Sequence, residues 1–139
     1  MLTISPTYRS ILAQELRFAA SQMREAQHPA DKVYFLSATW AQIQRVFNLE
    51  FDSELVLAHQ VLSLAHNHIQ GKVSGQHPGP MAAYFPPSIF EFLAADLEEL
   101  ASRWEAGQGA ADVLEHVALL GYACTGNGVY LFKKGLLKL

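Results

Sequence analysis

The chain's 139 residues suit one domain with a sizeable core, and 50% hydrophobic against 17% charged residues is the balance of a packed globule rather than a disordered chain. Ten basic against thirteen acidic side chains leave a net charge of −3, which gives no overall field for phosphate backbones and argues against nucleic-acid binding. Cys124 is the only cysteine, which excludes an internal disulfide and a cysteine zinc site; with no basic-then-apolar leader in MLTISPTYRS and no run near the ~18 apolar residues of a membrane span, the expected location is cytoplasmic.

A first helix is predicted to start near Ser5-Pro6-Thr7, where a capping hydroxyl precedes a proline tolerated in the first turn. Tyr8, Ile11, Leu12, Leu16, Ala19 and Met23 recur at helical spacing, and His28-Pro29 breaks the segment. The second helix restarts after Pro29 with Asp31 in its first turn and an inward stripe of Phe35, Leu36, Thr39, Ile43, Val46 and Phe47, widened by Trp40. After a short connector, Asp52 is a candidate N-cap for a third helix reaching about Gly71. That helix carries Leu55, Ala58, Val61, Leu62, Ala65 and Ile69 in one broad arc, extended by Leu57 and Leu64, as expected of a central helix.

From Lys72 to Pro87 the sequence KVSGQHPGPMAAYFPP holds four of the six prolines and reads as the longest loop. A fourth helix over 88–106 sets Ile89, Phe90, Leu93, Leu97, Leu100 and Trp104 opposite Glu91, Glu98 and Glu105, whose face reads as solvated surface. Gly107-Gln108-Gly109 ends it. A short fifth helix over 110–120 is built on Val113, Leu114, Val117 and Leu120. Gly126-Asn127-Gly128 between two β-compatible runs then predicts a small hairpin over 121–132, followed by a basic and apolar tail, 133–139. The expected fold is mainly all-α: one domain over 1–139, an antiparallel bundle of four main helices with a short fifth and a C-terminal β-hairpin.

Chemistry concentrates on the third helix, LAHQVLSLAHNHI. His59 and His66 are two turns apart and share one border of the apolar arc. Imidazoles on bundle helices ligate divalent transition metals, and Asp96 or Glu99 of the fourth helix, or Asp112 and His116 at i and i+4, would complete a sphere. The metal set is therefore His59, His66 and Asp96. Against it, an i to i+7 spacing separates the two backbones by about 10 Å, too far for easy chelation, and half-hydrated interfacial histidines fit the same pattern. His77 and Tyr84 in the long loop would line a ligand pocket with His59 and His66, or simply pin the loop to the core.

Tyr8, Tyr34, Trp40, Phe90, Phe92 and Trp104 fit core packing better than a stacking platform for a planar ligand. Cys124 has no basic neighbour within three residues to activate it. Lys133, Lys134 and Lys138 among Phe132, Leu136, Leu137 and Leu139 make a tail too short for a membrane anchor. Without a nucleophile, phosphate loop or metal signature, the sequence points to a non-catalytic interaction module, a homodimer that covers an apolar tail or helix face. The alternative is a metal- or small-ligand-binding bundle with a histidine-lined site between the third and fourth helices.

Overall fold

The structure is a computed structural model that describes residues 2–74, 88–125, 128 and 134–135. Among the described residues five helices form: α1 (Pro6–Glu25), α2 (Pro29–Phe47), α3 (Ser53–Val73), α4 (Ile89–Glu105) and α5 (Ala111–Tyr122). Their pairings close a circuit, with α1 against α2 and α4, α3 against α2 and α5, and α5 against α4. The mainly helical class read from the periodicity is what the chain adopts.

The inward stripes account for most of the core. Leu12, Leu16, Ala19 and Met23 of α1 are buried, as are Leu36, Thr39, Ile43 and Val46 of α2. The whole predicted faces of α4 and α5 are buried as well. In α3 the arc is narrower than its composition suggests. Leu55, Ala58, Leu62, Ala65 and Ile69 are buried, whereas Leu57 and Leu64 face outward because α2 and α5 flank the helix and leave that azimuth uncovered among the described residues. Ile11 and Tyr34, assigned inward from their spacing, are also exposed.

Helix boundaries follow local chemistry. Asp52 caps α3 as predicted, its Oδ1 accepting from the Glu54 N–H at 2.8 Å. Ser5 occupies the N-cap position of α1 without a capping side-chain bond; its N–H donates to Glu50 Oε2 instead, at 2.7 Å. Gly107 ends α4 in the left-handed region, φ 75°, and the Gly107 and Gln108 N–H groups return to the Trp104 and Arg103 carbonyls in a Schellman arrangement.

Two expectations are corrected. α3 continues through Val73, so Lys72 is helical and buried rather than the start of the loop. α5 continues through Tyr122, so Gly121 and Tyr122 are helical and not the first strand of a hairpin. Gly121 sits against Ala65 so closely that a Cβ there would lie 2.7 Å from the Ala65 Cα, and keeping α5 helical preserves this crossing. The Ala123, Cys124 and Thr125 N–H groups are then spent on the Leu119, Gly121 and Tyr122 carbonyls. Gly128 of the proposed turn donates its N–H to Thr125 Oγ1 at 2.9 Å, and the rest of the proposed hairpin, 126–127 and 129–132, lies outside the described residues.

No helix of the described residues is long and apolar enough to cross a membrane.

Candidate functional site

His59 and His66 project from α3 toward α2, where the Trp40 indole lies against both. Ring centroids are 5.5 Å apart for Trp40 and His59 and 6.3 Å for Trp40 and His66, and Phe47 closes on His59 at 5.7 Å, all edge-to-face. The i to i+7 spacing that placed both imidazoles on one azimuth thus lays them along an indole rather than around an ion. Both rings are half-buried, and His66 Nδ1 is 3.4 Å from Asn67 Oδ1. The Trp40 Nε1 is buried with no hydrogen-bond partner among the described residues. His68, on the same helix, is half-buried too.

Asp96 is committed elsewhere. Its Oδ2 lies 2.5 Å from His116 Nδ1 on α5, and Phe92 packs edge-on against that imidazole at 6.0 Å. Burial pushes the Asp96 carboxyl up, and the bond and charge of His116 only partly offset this. Asp112, four residues before His116, is held by Arg103 through paired bonds of 3.1 Å, while Arg103 also holds Glu99 at 2.8 Å. The residues read as one metal set therefore belong to two seams, α2–α3 and α4–α5. Among the described residues no group of three His, Cys, Asp or Glu side chains is placed to hold a metal ion. His77 and Tyr84 lie outside the described residues.

A carboxylate–imidazole pair orients a general base when a nucleophile stands next to it. The thiol of this chain does not suit that role, because Cys124 is buried and burial pushes it up to about 12, with Lys72 pulling weakly the other way.

One polar anchor between the helices is a residue that sequence reasoning missed. Glu54 Oε2 accepts the Trp104 indole N–H at 2.6 Å, and both carboxylate oxygens accept the Ala110 N–H at 3.0 and 3.1 Å. One side chain of α3 thereby fixes the end of α4 and the start of α5. Asp52 beside it also receives the Thr3 N–H at 2.7 Å and the Thr3 hydroxyl at 2.9 Å. Burial raises the Asp52 carboxyl, yet these bonds and those from the Glu54 and Leu55 N–H groups outweigh it and hold the group below its ordinary range. An Asp N-cap with an acidic residue in the first turn is a helix-start signal, but nothing in spacing shows that Glu54 reaches Trp104, 50 residues later.

No known protein family, curated protein or solved structure matches this chain.

Proposed function

We propose that this protein is a non-catalytic interaction module on a four-helix-bundle frame, acting in the cytoplasm as a homodimer paired through α3. The observation that carries the reading is the outward placement of Leu57 and Leu64, 45% and 57% exposed and two turns apart on one azimuth. Val61 and His68 continue the same strip, half-buried, beside α5. Apolar side chains aligned on a helix face opposite its core are what a second copy would cover, and burying a leucine contributes about 1.5–3 kcal/mol. An isologous pair brings each strip against its own copy, so every contact counts twice.

Light scattering during size-exclusion chromatography tests this. The expected mass is twice the chain's 15.4 kDa, falling to the single-chain value in a Leu57→Glu, Leu64→Glu double variant. A single-chain mass for the parent protein at every concentration would overturn the dimer.

A further inference from the structure

The outer face of α1 is unlike a solvated helix surface. Ile11, Glu15, Phe18, Gln22 and Glu25 fall within an arc of about 80° at 100° per residue, and Phe18 is 57% exposed. Phe18 meets Phe35 of α2 edge-on at 6.5 Å, and Phe35 meets Tyr34, itself 66% exposed, at 5.4 Å. Next to these rings, at the corner where α1 passes into α2, a cleft of about 360 Å³ is lined by Gln22, Glu25, Ala26, Asp31, Tyr34 and Phe35.

The charges at this corner are one-sided. Arg24 is committed to Glu91 and Glu98 of α4, and the Lys32 ammonium turns away to the Met23 carbonyl at 2.6 Å and the Phe90 ring. Glu15, Glu25 and Asp31 make no ion pair among the described residues. The result is an aromatic ledge ending in two carboxylates with no cation of their own.

We infer that the α1–α2 face docks a basic amphipathic segment of a partner protein, seating a lysine or arginine head between Glu25, Asp31 and the Tyr34 ring and apolar side chains along Phe18 and Ile11. An aromatic ring face and a carboxylate together favour an alkylammonium or guanidinium group. The face from Ile11 to Glu25 spans roughly 21 Å, far longer than one head group, which selects a segment rather than a small organic cation and matches a helix laid into a groove. The same carboxylates repel nucleic-acid phosphates and anionic lipid.

The inference rests on the interaction-module reading but not on the dimer. The test is fluorescence anisotropy with a labelled amphipathic leucine–lysine peptide and its leucine–glutamate counterpart. The lysine peptide should bind and the glutamate peptide should not. A Glu25→Gln, Asp31→Asn double variant and a Tyr34→Ala variant should each weaken binding about tenfold with unchanged circular dichroism and unchanged mass by light scattering. The Leu57→Glu, Leu64→Glu variant should bind the peptide as the parent does. Equal binding of the two peptides, or affinity indifferent to the α1–α2 variants, overturns the inference whatever the oligomeric state proves to be.

Discussion

Glu54 shows how much one side chain holds. Removing it by Glu54→Ala leaves the Trp104 and Ala110 N–H groups without their acceptor, and stranding buried donors costs about 1–3 kcal/mol each. A loss of about 2–4 kcal/mol in urea unfolding is expected, with Glu54→Gln milder because its amide oxygen still accepts. A change below a few tenths would mean that water replaces the carboxylate freely. Cys124 provides a second residue-scale prediction. Fully buried and raised to about 12, it should stay unmodified by a thiol reagent at pH 8 in the folded protein and react once the chain is unfolded in guanidinium. Rapid labelling of the native state would contradict that burial.

Between elements, the decisive contact is the crossing of α3 and α5. Gly121→Ala would gain about 1 kcal/mol of helix propensity, but the new methyl would meet Ala65 at 2.7 Å from Cα and 2.9 Å from Cβ. Backbone cannot step aside as a flexible side-chain end does, and overpacking costs about 1–3 kcal/mol. Net destabilisation is therefore expected, read as a lower thermal midpoint; a rise would show that α5 slides without cost. The α1–α4 pairing is different in kind. Beyond its buried stripes it carries Arg17–Glu105 and Arg24 with Glu91 and Glu98. These pairs are largely solvent-accessible and contribute little stability, but they turn a face that reads as solvated surface in the sequence into a contact with α1.

For the whole molecule, two largely buried carboxylates contribute to the pH dependence of stability with opposite sign. Asp52 lies below its ordinary value of 3.8, so its contribution is present above 3.8 and is lost as pH falls through the depressed folded-state value. Asp96 lies above 3.8; the folded state holds that proton more tightly than the unfolded chain, so a cost sets in as pH rises from 3.8 through the raised value. Thermal midpoints at pH 7 and pH 3 should separate them. Asp52→Asn should be destabilising at pH 7 and less so at pH 3, whereas Asp96→Asn should improve relative to the parent as pH rises. The same sign for both variants would refute the assignment.

Among the described residues, the number and order of the helices and most of the core were legible in the sequence, because a 3.6-residue apolar period is a local property and capping residues such as Asp52 and Gly107 act within one turn. The period does not say which part of a broad arc a neighbour will cover. Leu57 and Leu64 look inward from α3 alone and face outward once α2 and α5 are in place. Nor does it say where a helix stops when a distant backbone favours its continuing, as Ala65 does for Gly121. Sequence put His59, His66 and Asp96 on suitable helices, and only packing decided that the two histidines lie along Trp40 while Asp96 turns to His116. Side-chain partnership depends on contacts between residues far apart in the chain, and spacing along one helix carries no information about them.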